Sequence, residues 1–225
     1  MSTINRNVFL DFPPARAMLT ELRDRTTDSE RVEVLLRRLG YFLAIRATGG
    51  MTTSERQIET PLGPSGGVEL DECALIPILR AGLGILPPFR EFLPRAHVWD
   101  VGVVRDEATA ISSVYVSKIP KEEARESLAG LACFILDPMF ATGGSVCLTI
   151  QLLKDRGANN IIFVCVLAAP EGIERVRKEH PDVAIFIGRT DGKLNERKYI
   201  CGFGAEEGDG DGNGAGDIGD RLRNS

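Results

Sequence analysis

Residues 133–153 read CFILDPMFATGGSVCLTIQLL. The apolar run Leu131 to Leu136 has the composition of a strand buried on both faces, and it delivers its chain directly into Asp137. A short loop with Gly143 and Gly144 follows, and an amphipathic helix is predicted from near Thr142 to Arg156, closed by Gly157. This arrangement is an anion site by construction. The amides of Ala141 to Ser145 and the helix N-terminus point at one place, and the hydroxyls of Thr142 and Ser145 add donors. Gly143 and Gly144 let the backbone close in. A Gly-Gly turn beside a capping acid would look the same if the loop stood alone. The segment lacks the Lys of a Walker loop and the GxGxxG of a dinucleotide site.

Working outward, Cys73 to Leu79 is a second fully apolar strand and gives way to loop chemistry at Arg80. Val98 to Val104 is a further β-type run, and Arg105 to Lys118 reads as a hairpin excursion that fills no core. Ile161 to Ala168 and Val183 to Ile187 are predicted strands, with a helix between them opened by Pro170 and Glu171 and running to about His180. Towards the N-terminus, TDSERVEVLLRRLGYFLAI places Val32, Leu35, Leu36, Leu39 and Leu43 at helical spacing behind a Thr27/Glu30 capping box. The stretch from there to Cys73, with TPLGPSGG in it, reads as a polar connection. Strands alternating with helices predict an α/β fold, a central parallel sheet flanked by helices.

Length and composition fit this plan. The 225 residues, 43% hydrophobic, suffice for one core and are read as a single domain, 1–225. A net charge of −5 with scattered cations offers no stripe for a nucleic-acid backbone. No stretch approaches the ~20 apolar residues of a membrane span, and the start lacks a signal-type apolar region. The five cysteines show no ligand spacing, which fits a reduced, cytoplasmic protein.

The string LDPMFATGGS closely resembles the phosphoribosyl pyrophosphate (PRPP) signature of type I phosphoribosyltransferases, in the version of the uracil phosphoribosyltransferase family. The resemblance covers most of the chain: LRD at 22–24, ETPLG at 59–63, PILRAGLG at 77–84, RDE at 105–107, KIP at 118–120 and LNE at 194–196 stand in family order. Related transferases place two adjacent acids before the loop, whereas the uracil branch has Asp-Pro, as Asp137 and Pro138 are here.

The resemblance implies transfer of a phosphoribosyl group from PRPP to uracil, giving UMP and pyrophosphate in pyrimidine salvage, with Mg²⁺ as cofactor. It implies that Asp137, Arg80 and Arg105 carry the reaction: the arginines hold the pyrophosphate, and Asp137 faces the ribose hydroxyls. Lys118 is a further candidate for the pyrophosphate. Pro138, Met139, Phe140, Ala141, Thr142, Gly143, Gly144 and Ser145 form the PRPP loop, joined by Asp217. A homodimer or higher homo-oligomer is implied, with the excursion at 105–118 reaching a neighbour.

The family reads its base with main-chain groups of a segment resembling YIxPGLGDAGDR. Tyr199 and Ile200 match its start, and Gly216, Asp217 and Ile218, followed by Gly219, Asp220 and Arg221, match its end. Ile200, Gly216, Asp217 and Ile218 are therefore the expected uracil contacts, in a small C-terminal hood. Cys201 stands where the family has Pro, and a Gly/Asp-rich insertion, residues 202–219, occupies a space the family fills with a few residues. An inserted polar loop of this kind costs little entropy if it turns out to solvent.

Two other readings compete. Asp209, Asp211, Asn213, Gly214, Asp217 and Asp220 fall at EF-hand ligand and glycine positions, but flanking helices are missing and Asp/Gly tracts give such matches by composition. The fold could also serve a non-catalytic pyrimidine-nucleotide-sensing regulator, or a transferase for another base.

Overall fold

A computed structural model describes residues 4–5, 8–9, 12–105, 112–120, 128–196 and 198–201. In chain order these form β1 (Ile4–Asn5), α1 (Pro13–Arg23), α2 (Ser29–Thr48), β2 (Thr53–Thr60), β3 (Gly63–Leu70), β4 (Cys73–Leu79), α3 (Leu86–Phe92), β5 (His97–Val98), β6 (Val101–Arg105) and β7 (Ser112–Ser117). Then come β8 (Ala132–Leu136), β9 (Met139–Phe140), α4 (Gly144–Lys154), β10 (Asn160–Ala168), α5 (Pro170–Glu179) and β11 (Ala184–Thr190).

The central sheet has the order β1-β11-β10-β8-β4-β6-β7, and every pairing along it is parallel except β6 with β7. Alternation along each strand divides the core in two. Leu75, Phe134, Leu136, Val164 and Val166 face the cluster built with α1, α2 and α3. Ala74, Ile76, Ile135, Phe163 and Cys165 face the one built with α4 and α5. A sheet covered on both faces explains why its strands are continuously apolar. The expected α/β fold with a central, largely parallel sheet is borne out.

Several elements differ from expectation. Asp28, not Thr27, caps α2, accepting the Arg31 amide at 2.8 Å, because the Thr27 hydroxyl is spent on the Glu21 carbonyl of α1. The run Val98 to Val104 is broken at Trp99–Asp100. The polar connection before Cys73 is an antiparallel hairpin, β2–β3, whose first strand is exposed along nearly its whole length and so carries no alternating pattern. Helices α1 and α3 begin with prolines in their first turn, where a missing N–H is harmless. The excursion is an antiparallel pair, β6–β7, with residues 106–111 outside the described set. The insertion 202–219 and the EF-hand-like residues also lie outside it.

Four cysteines line the core. Burial pushes the Cys73 thiol up to about 11 and Cys133 up to about 12, and it holds Cys165 well above its ordinary value, helped by the nearby Asp137 charge.

One ion pair ties the N-terminal helices to the far end of β11. The Arg23 guanidinium grips the fully buried Asp191 carboxylate with two nitrogens, Nε at 3.2 Å and Nη2 closer still. Removing one partner strands a buried charge, so Arg23→Ala is expected to lose about 3 kcal/mol of stability in urea unfolding. Arg23→Lys, which cannot form the fork, should recover only part of it.

Candidate active site

The chain leaves β4 towards α3 on one face of the sheet, and it leaves β8 towards α4 on the other. Since β4 and β8 are neighbours with Pro77 level with Leu136, their carboxyl ends flank a crevice where the loops part. This is where open α/β sheets bind ligands. Arg80 ends one strand there and Asp137 ends the other.

The Asp137 amide donates to the Val164 carbonyl at 3.2 Å, and its Oδ1 accepts the Met139 amide at 3.3 Å. The next three residues are joined to β10. The Pro138 carbonyl accepts the amides of Val166 and Leu167, Met139 and Phe140 pair with Leu167 and Ala168, and the buried Phe140 ring packs edge-on to Phe163 at 4.7 Å. Ala141 to Ser145 form the open part. Helix α4 starts at Gly144, two residues later than expected, because Gly143 at φ 80° is its left-handed N-cap. Such a cap supplies no side-chain acceptor, so the first-turn amides of α4 are left to a ligand.

Backbone contacts without side chains hold this loop and its neighbours. A Cβ on Gly82 would collide with the Leu136 carbonyl oxygen and lie 3.0 Å from the Pro77 Cα, so the Arg80 turn sits directly against the end of β8. A Cβ on Gly172, in the first turn of α5, would lie 2.5 Å from the Ala141 carbonyl oxygen.

Arg80 is exposed on its turn, at the rim of a groove of about 510 Å³ shared with Glu30, Glu33 and Arg37 of α2. The peptide bond preceding Arg80 is cis. Arg105 ends β6, beside β4. Its backbone lies three residues beyond Gly102, the last residue paired with β4, so the β6–β7 hairpin rises about 10 Å above the crevice edge. The Arg105 side chain lies outside the described set. Lys118 is exposed at the foot of β7, three strands across from β8 or about 14 Å, and its amide donates to the Asp100 carbonyl.

Beyond β11 the chain makes a tight hairpin at the same sheet edge. Asn195 donates to the Tyr199 carbonyl at 3.0 Å and Cys201 to the Lys193 carbonyl at 3.1 Å, which makes Leu194 and Ile200 a pair that exchanges no bonds. Their own main-chain groups therefore turn outward on opposite edges. On one edge the Leu194 amide meets the Glu171 carboxylate at 3.0 Å, and on the other the Ile200 N–H and C=O face away from the hairpin. The Ile200 side chain is buried in the core and anchors the arrangement. Gly216, Asp217 and Ile218 lie outside the described residues.

A sequence model described as uracil phosphoribosyltransferase matches residues 9–224. The chain belongs to the uracil phosphoribosyltransferase family. It is 40% identical over 211 residues to a uracil phosphoribosyltransferase of Roseiflexus sp. (strain RS-1), covering 93% of this chain and 94% of that one. It is 39% identical over 215 residues to that of Natranaerobius thermophilus, covering 95% of each. The solved structure of the AQ2163 protein from Aquifex aeolicus superposes with a TM-score of 0.84 at 32% identity, over 98% of this chain and 97% of that one.

The sequence reading missed Glu171, Gly172, Asp191 and Gly82 as parts of this site. Glu171 was legible only as the acid that opens α5, and nothing local reveals that it holds a hairpin more than twenty residues later. For Gly82→Ala the added methyl must push the Arg80 turn off β8. Affinity for inorganic pyrophosphate, measured by calorimetry, is expected to fall at least about tenfold, with a far-UV spectrum like that of the parent protein.

Proposed function

We propose that this chain transfers the phosphoribosyl group of PRPP to uracil, forming UMP and pyrophosphate in pyrimidine salvage. The observation that carries this reading is the meeting of Asp137, the uncapped N-terminus of α4 and the Arg80 turn at one switch point, in a member of this family.

Departure of pyrophosphate from ribose C1 builds positive charge on the sugar and negative charge on the leaving group, so positioning and fixed charges supply most of the catalysis. The amides and hydroxyls of residues 141–145 hold the 5′-phosphate, with Pro138, Met139 and Phe140 as the frame beneath. Asp137 orients the ribose hydroxyls and favours the developing cation beside it. Arg80 and Arg105 take the pyrophosphate, and the overhang of β6–β7 suits Arg105 to close over it from above. Lys118, set low on the edge strand, is the weaker candidate. Uracil is read by the outward main chain of Ile200, with Gly216, Asp217 and Ile218, and Asp217 also serves PRPP. An acceptor and donor pattern matched to uracil leaves groups unpaired against cytosine.

Among the described residues the crevice offers one strand-end carboxylate, Asp137, and no cage of three ligands. That donor set fits Mg²⁺, which keeps its waters and rides on substrate phosphates. When bound, the ion offsets charge on the pyrophosphate. The same reading takes the chain as a single cytoplasmic domain, 1–225, with 202–219 as an insertion in the hood, and as a homodimer or higher homo-oligomer. Leu62, fully exposed, and Val68, 70% exposed, on β2–β3 are apolar surface that a second subunit would cover. No described helix is long and apolar enough to cross a membrane.

Pyrophosphate release with Mg²⁺ and PRPP is expected with uracil and not with cytosine, hypoxanthine or adenine, and Asp137→Asn should lower kcat/KM at least about 100-fold. No turnover with any base, while PRPP still binds, would overturn the reading in favour of a nucleotide-sensing regulator.

A further inference from the structure

Away from the crevice, three potential ligands converge where α4 packs on the end of α5. The Cys147 Sγ, a carboxylate oxygen of Glu179 and a ring nitrogen of His180 all lie within 4.8 Å of one another. Cys147 and His180 are buried, whereas Glu179 is exposed and opens the group to solvent. Among the described residues this is the one such group of three. Cys147 and His180 are far apart in sequence, so no ligand spacing announces them.

We propose that Cys147, Glu179 and His180 form a binding site for a thiophilic divalent cation, Zn²⁺ in the first instance, with solvent as fourth ligand on the Glu179 side.

The chemistry of the three groups selects the ion. Thiolate, imidazole and carboxylate together suit zinc and leave magnesium and calcium poorly served. Ligand atoms around tetrahedral zinc stand about 3.3–3.8 Å apart, so the group has to contract by about 1 Å, within reach of side-chain torsions at an exposed Glu179. In the metal-free protein the Cys147 Sγ lies within 4.8 Å of a Glu179 carboxylate oxygen. A bound metal ion would displace the thiol proton, and thiolate and carboxylate together balance its charge. The neighbouring cations are already engaged: Arg175 Nε donates to Glu179 Oε1 at 2.9 Å, and Lys154 Nζ to Asp182 Oδ1 at 2.6 Å.

The location couples the site to the anion loop. The Cys147 amide donates to the Gly143 carbonyl at 2.9 Å, so a bound ion would staple the first turn of α4 to the last turn of α5. The site itself does not depend on which base or sugar the crevice takes.

Co²⁺ titration of the metal-free full-length protein tests it, because thiolate ligation gives a sulfur-to-cobalt charge-transfer band in the near ultraviolet. The expected result is a band that saturates at about one Co²⁺ per chain and is bleached by Zn²⁺. It should vanish in Cys147→Ser, survive in Cys201→Ser, and need at least about tenfold more Co²⁺ in Glu179→Gln, whose exposed position leaves folding intact. Cobalt held by the acidic residues 202–219 would give no such band, since they contain no sulfur. Absence of the band from the folded parent protein, or its persistence in Cys147→Ser or at unchanged affinity in Glu179→Gln, would overturn the proposal.

Discussion

Because β11, β10, β8, β4 and β6 all run in one direction, the chain must cross the sheet between them, and each strand delivers its last residue to the same edge. Everything chemical in the molecule follows from that. Arg80, Asp137, the α5 N-terminus and Asp191 come from distant parts of the sequence, yet register alone places their backbones side by side. The crossover helices go to opposite faces on either side of β4 and β8, and among the described residues no connection passes over the crevice between those strands.

The loops along this edge are held to one another by main chain. The Arg80 turn rests on the end of β8 through Gly82, and the loop before α4 rests on α5 through Gly172. Contacts of this kind have little slack, since no side chain can rotate to absorb a shift. Ion pairs and hydrogen bonds then extend the frame outward: Glu171 fixes the hairpin after β11, and Arg23 fixes Asp191 at its root. A displacement at one loop is thereby felt at the others, as transfer between two bound partners requires.

Much of this was readable from the chain. The buried strands at Cys73 and Leu131 announce themselves as unbroken apolar runs, and the segment from Asp137 to Ser145 carries its chemistry in local order. What escaped was whatever depends on partners distant in sequence. TSERQIET has no buried face and gives no strand signal, although β3 completes it with a full antiparallel ladder. Pro13–Pro14 and Pro87–Pro88 look like breaks until they are seen as helix beginnings. Thr27 looks like a cap until Glu21 claims its hydroxyl. The pairing of Met139 and Phe140 with β10 is likewise silent in their local sequence.

The distribution of sulfur has a practical side. Cys73, Cys133, Cys147 and Cys165 are buried, and Cys201 alone is half-exposed. It sits next to Ile200, at the root of the hairpin that follows β11. An alkylating dye or spin label added to the folded protein therefore has one favoured address, one residue from Ile200, and the native chain comes already equipped to report spectroscopically on events at that hairpin.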